Sequence, residues 1–146
     1  MLPKDVFENA VKLLPLISID LIIHDDTGSV PRILLGKRKN EPARGCWFVP
    51  GGRVYKREIL DQALARISKT EIGTELIFDQ LNFLGVYEHL YDDELATHYV
   101  VHAYETNEIS IIPQAMFDQH DEFIWMSMEE LMSNPEVHQY TKNYFK

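Results

Sequence analysis

The stretch WFVPGGRVYKREILDQALARISKTEIG, from Trp47 to Gly73, constrains what this chain can fold into more than any other. It opens on Pro50-Gly51-Gly52, a turn where two successive residues lack Cβ and the backbone can approach a ligand closely. A helix follows. Leu60, Ala63, Leu64 and Ile67 recur at helical spacing and form one apolar stripe. Gly73 stands just past the last turn, the place for a left-handed C-cap. At about 100° per residue, Glu71 falls roughly 20° from Leu60, inside the stripe. A carboxylate there needs a cation or a metal as its partner. The alternative is that the frayed helix end lets Glu71 reach water.

Charge adds a second constraint. The formal net charge is −9, which argues against general attraction to nucleic acid or to an anionic membrane. Yet seven of the 14 Lys and Arg residues lie between Lys37 and Arg57, a segment with one acid, Glu41. A basic patch beside a Gly-rich turn in an acidic chain suggests a phosphate site; a solvated face is the plainer reading. Cys46 is the only cysteine, so no internal disulfide can form, and it reads as a packed small residue. The opening residues carry no secretory pattern, and no apolar run is long enough to span a bilayer. These features point to one soluble domain over 1–146 in a reducing cytoplasm.

Taken in order, the chain predicts a helix over 5–14 ended by Pro15, then strands over 16–24 and 32–38. After the central helix, 76–78, 83–88, 97–106 and 123–126 read as strands. Ser127 followed by Glu130 is a capping box that starts a helix, Asn134-Pro135 breaks it, and a last helix runs to about Phe145. Helices between and around strands predict an α/β fold, a mixed sheet sandwiched by helices.

Gly52, Glu58, Arg66, Glu71 and Gly73 fall in the register of the Nudix box, and Trp47 to Gly52 resembles the usual approach to it. The resemblance implies the Nudix fold. Three positions depart from the pattern: Ile67 and Thr70 stand where that family has Glu, and Ser68 where it prefers an apolar residue. Beyond the box, Leu35 to Arg38, Tyr91-Asp92-Asp93, Thr97-His98-Tyr99 and Gln119-His120-Asp121 resemble the GDP-mannose mannosyl hydrolase branch over nearly the whole chain. The loop between Asp93 and Thr97 is shorter than in that branch, and residues are added near Val30 to Arg32.

With fewer box carboxylates, one divalent ion is favoured over two or three. Mg²⁺, with Mn²⁺ as the alternative, would take oxygen ligands and keep some waters. The resemblance implies Glu71, the Gly51 carbonyl and Gln119 as its ligands. It also implies His120 as the general base, set among Asp118, Asp121 and Glu122. Arg38 and Arg53 are the expected diphosphate clamps, since guanidinium forks match phosphate oxygens. Lys37 is expected outward or packed along its stem. Asp20, mid-strand, could hold a sugar hydroxyl or be a solvated acid at a sheet edge. His89 and Tyr99 resemble residues near the leaving diphosphate and the sugar, although Tyr99 could equally be a packed ring. Leu2 and Phe7 could cover a guanine base, or Phe7 could anchor the first helix. Arg66 is expected to pair with Glu58 or with loop carbonyls. His24, His98, His102 and His138 are read as ordinary histidines.

The implied activity is hydrolysis of GDP-mannose or GDP-glucose at the glycosyl bond, with inversion, by a homodimer. Two rivals are kept. One is an ordinary Nudix pyrophosphohydrolase attacking phosphorus; the other is a nucleotide-sugar sensor without turnover.

Overall fold

In the computed structural model, which describes residues 2–108 and 122–146, the chain runs α1 (Lys4–Leu13), β1 (Leu16–Asp25), β2 (Arg32–Lys37), β3 (Trp47–Phe48), β4 (Gly51–Arg53) and α2 (Leu60–Ile72). It continues through β5 (Asn82–Leu90), β6 (His98–Thr106), β7 (Phe123–Ser127), α3 (Met128–Ser133) and α4 (Gln139–Lys142). A 3₁₀ turn, Asn143–Phe145, follows α4.

The strands form one sheet in the order β3-β2-β1-β6-β5, with β4 also paired to β1 and β7 to β2. Only β1 and β6 run parallel among these pairs; the rest are antiparallel, so the sheet is mixed. β1 lies at its centre. Strand alternation sends Ile19, Leu21 and Ile23 to one face, where Ala63, Leu64, Ile67 and Ile72 of α2 cover them. Ile22 faces the other way, into a second cluster with Leu35, Val49, Ala103, Leu131, Val137 and Tyr144. Burying each large aliphatic side chain contributes about 1.5–3 kcal/mol.

The ends of α2 follow the sequence closely. Gly73 adopts φ 75°, and its N–H donates to the Lys69 carbonyl at 3.0 Å. A left-handed residue there costs nothing without a Cβ. Ser127 accepts the Glu130 N–H at 3.2 Å and caps α3.

Two expectations change. Residues 76–78 do not form a strand: Leu76 is buried, its N–H donates to the Ser68 hydroxyl at 2.9 Å, and Phe78–Gln80 is a 3₁₀ turn. That bond also accounts for Ser68, which sits fully buried at an otherwise apolar position and hands its own proton to the Ala65 carbonyl. The first helix ends at Leu13, and Leu14 is already extended because it precedes Pro15.

Candidate active site

The Gly51-Gly52 turn enters the sheet as β4, and its register with β1 decides where its atoms point. Leu21 N–H donates to the Pro50 carbonyl and Val54 N–H to the Ile17 carbonyl. Asp20 opposite Gly51 is therefore a non-hydrogen-bonded pair, and the Gly51 carbonyl points away from β1. A Cβ on Gly51 would run into the Asp20 carboxylate and come within 2.6 Å of the Ile19 carbonyl oxygen. Glycine is thus required here by the neighbouring strand as well as by any ligand. A Cβ on Gly52 would lie 3.1 Å from Ile67 on the α2 side.

Two hollows meet at this turn. One, about 310 Å³, is lined by Asp20, Arg38, Gly51, His89, Tyr91 and Tyr99 together with Lys37, Lys39 and Glu122. The other, about 590 Å³, is lined by Leu2, Lys4, Phe7, Tyr55, Arg66 and Ile67. Gly52, Arg53, Thr70 and Glu71 belong to both. The sequence-derived residues Asp20, Arg38, Arg53, Gly51, Glu71, His89 and Tyr99 are brought together around the first hollow. Leu2 and Phe7 are in the second. Gln119 and His120 lie outside the described residues.

Asp20 is not a solvated acid at an edge, because β1 is interior. It is half-buried on the chamber wall, and its carboxylate accepts a hydrogen bond from the Tyr144 hydroxyl. Burial pushes its pKa up to about 6, against the lowering effects of Tyr144 and of the Arg38 charge. His89 is buried, stacked on Tyr140 with ring centroids 4.4 Å apart. Burial, helped by the charge on His138, lowers it to about 4, so its imidazole is neutral near pH 7. Burial raises Tyr99 and Tyr91, while Arg38 lowers both and Arg53 also lowers Tyr99. Both guanidinium groups therefore act on the same chamber. Tyr99 is half-buried on its wall rather than packed in the core.

Each arginine is held. Arg38 Nε donates to the Pro42 carbonyl at 2.7 Å, and its guanidinium lies 5.4 Å from the Phe48 ring centroid. Arg53 lies 4.9 Å from the Phe7 ring and 4.7 Å from the Tyr55 ring. Phe7 therefore steadies a cation as well as facing the second hollow. Arg66 does its expected structural work: Nε and Nη2 donate to the Glu58 carboxylate at 2.7 and 2.9 Å, and Nη2 also donates to the Arg53 carbonyl at 2.8 Å. Arg66 holds the Glu58 carboxyl below its usual range. Lys37 packs its ammonium 5.6 Å from Trp47 and 3.7 Å from Glu122, and it lines the chamber rather than turning away from it.

The oxygen donors near the turn fit a hard divalent cation. They are the Glu71 carboxylate and the outward Gly51 carbonyl, and no group of three or more His, Cys, Asp or Glu residues converges on a metal position among the described residues. These two donors leave most of a hard cation's coordination positions to other oxygens. Ile67 is 2% exposed within the α2 cluster and offers no donor.

Sequence reasoning missed Tyr140 and Tyr144, which back the chamber residues His89 and Asp20. The available signal was Tyr140 and Tyr144 four apart, one turn of helix, following the Asn134-Pro135 break.

Residues 14–146 match the NUDIX domain family. The chain belongs to the Nudix family. This Nudix chain is 42% identical over 109 residues to the low-salt glycan biosynthesis protein Agl8 of Haloferax volcanii, a match covering 71% of the chain and 66% of that protein. It is 39% identical over 84 residues to an ADP-ribose pyrophosphatase of Methanocaldococcus jannaschii, covering 58% of the chain and 46% of that enzyme. The matches thus span two thirds or less of these relatives' lengths. Among solved structures, a MutT NUDIX hydrolase from Burkholderia pseudomallei superposes with TM-score 0.70 at 27% identity, covering 90% of the chain and 95% of that structure. The fold is the Nudix fold, and its family are hydrolases that generally use divalent metals such as Mg²⁺. No helix among the described residues is long and apolar enough to cross a membrane.

Proposed function

We propose that this Nudix protein hydrolyses a nucleoside diphosphate sugar, GDP-mannose or GDP-glucose, at the glycosyl carbon–oxygen bond. The observation that carries the reading is Ile67, packed under Gly52 where the usual box would place a carboxylate. With Thr70 beside it, the metal cluster that drives water onto phosphorus has lost two of its ligands. The Agl8 relative, named for glycan biosynthesis, is in keeping with a sugar-bearing substrate.

In this reading Arg38 and Arg53 hold the diphosphate between them, and Asp20, His89 and Tyr99 line the sugar chamber. Asp20 accepts a sugar hydroxyl. His120 takes the proton from a water attacking the anomeric carbon opposite the diphosphate, so the α-linked sugar leaves as the β-anomer. Gly51, Glu71 and Gln119 would hold a divalent ion, which when bound would neutralise charge on the leaving diphosphate. Leu2 and Phe7 border the hollow left for the base, and the working unit is a homodimer in the cytoplasm.

Turnover in ¹⁸O-water tests the bond. Label on the sugar, none in GDP, and an initial β-anomer in proton NMR are expected. GMP or labelled phosphate would instead support pyrophosphate hydrolysis, the second reading, favoured by the M. jannaschii relative.

A further inference from the structure

Tyr144 lies far from the glycine turn in sequence, in the 3₁₀ turn after α4, and nothing in the Nudix box points to it. Yet its hydroxyl lies against two residues that line the chamber, Asp20 and His89. It donates to Asp20 Oδ2, and its oxygen lies 3.4 Å from His89 Nε2. A phenol has one proton to give. With that proton committed to the carboxylate, the phenol oxygen is left to accept, which fits His89 with its proton on Nε2. The ring itself is held edge-on to Tyr87, with centroids 4.7 Å apart, and is 8% exposed.

The surroundings are arranged around the carboxylate. β4 carries no side chain at Gly51, where a Cβ would strike Asp20 Oδ1. The other oxygen, Oδ2, receives Tyr144. A carboxylate has room for several hydrogen bonds, so Oδ1, on the Gly51 side of the cleft, keeps capacity for a donor from a ligand. A side chain with one oxygen pinned and the other facing the cleft reads hydroxyl positions better than one free to rotate.

We propose that Tyr144 is a positioning residue that fixes the Asp20 carboxylate and the His89 ring in the one arrangement the chamber presents to the hydroxyl groups of a bound sugar. The choice of ligand rests on the sugar-nucleotide reading above; the pinning of Asp20 does not.

Tyr144→Phe keeps the ring and removes only the hydroxyl. A crystal structure of this variant should show the Asp20 carboxylate in a different rotamer; an unchanged Asp20 overturns the proposal whatever the substrate. On GDP-mannose with Mg²⁺, kcat/KM should fall about tenfold to a hundredfold, the range a hydrogen bond to a charged partner supports. Calorimetric affinity for GDP, which lacks the sugar, should stay within about twofold. In an Asp20→Asn background, Tyr144→Phe should change kcat/KM by less than about twofold, because the two residues act as one unit. An equal loss in both backgrounds, or a matching loss of GDP affinity, means a structural role only and overturns the proposal. If wild-type protein releases GMP from GDP-mannose, or turns over ADP-ribose instead, the glycosyl reading fails, and the same cycle on that substrate still tests Tyr144.

Discussion

Replacing Asp20 with Asn should make the protein more stable at neutral pH while abolishing much of its activity. Burial raises the carboxyl from 3.8 to about 6, so the folded state holds its proton more tightly than the unfolded chain does. Below about pH 4 both states are protonated and the group costs nothing. As pH rises from 4 to 6 the unfolded chain ionises first, and stability falls. Above about 6 the folded carboxylate is ionised too, and the cost levels off. Two pKa units at 1.36 kcal/mol each give about 3 kcal/mol as a ceiling. Asp20 keeps some contact with the cleft, so a net gain of roughly 1–2 kcal/mol for Asp20→Asn is expected above pH 6.5, shrinking towards zero near pH 4. Urea melts of both proteins across pH 4 to 8, in EDTA, measure it, because only the difference between the two curves matters. If Asp20→Asn is destabilising at pH 7.5, or shows the same difference at pH 4 and 7.5, the account of a carboxylate that pays for lost hydration is wrong.

Other expectations are simpler. Ser68→Ala should cost about 1–3 kcal/mol in a denaturant melt, because the buried Leu76 N–H loses its acceptor; per folded molecule, activity should be unchanged. Glu71→Gln should weaken Mg²⁺ binding and turnover together, as read by calorimetry beside a metal titration of the rate. Retained Mg²⁺ dependence would remove Glu71 from the ligand set. His120→Gln should lower kcat by roughly 10²–10⁴-fold with little change in GDP affinity; a loss under tenfold at every pH would rule it out as the general base.

What was legible beforehand is what is local. The Gly73 cap, the apolar stripe of α2, the Ser127 cap and the Arg66–Glu58 pair all depend on residues within one element or a few turns of it. Spacing alone carries such relations. Asp20 was ambiguous because its environment is assembled from β4, from β5 and from Tyr144, 124 residues away. No periodicity connects those segments. Leu76 misled for the same reason: its apolar neighbours suggested a strand, but a buried serine eight residues earlier had taken its N–H. Phe7 could be placed on a helix, yet its contact with Arg53 required the β1–β4 register to be known.

The packing of Ile67 against Gly52 bears on what a glutamate at that position would meet. A glutamate restored at 67 would not simply regain a metal ligand. Its stem would take the place of Ile67 beside Leu64 and Ile72, and its carboxylate would have to turn into the hollow that Ile67 also lines, beside Thr70 and Glu71, because an unpaired charge left in the cluster is costly. Position 67 therefore couples the core to the cleft: what fills it sets both the packing under Gly52 and the charge available beside Glu71.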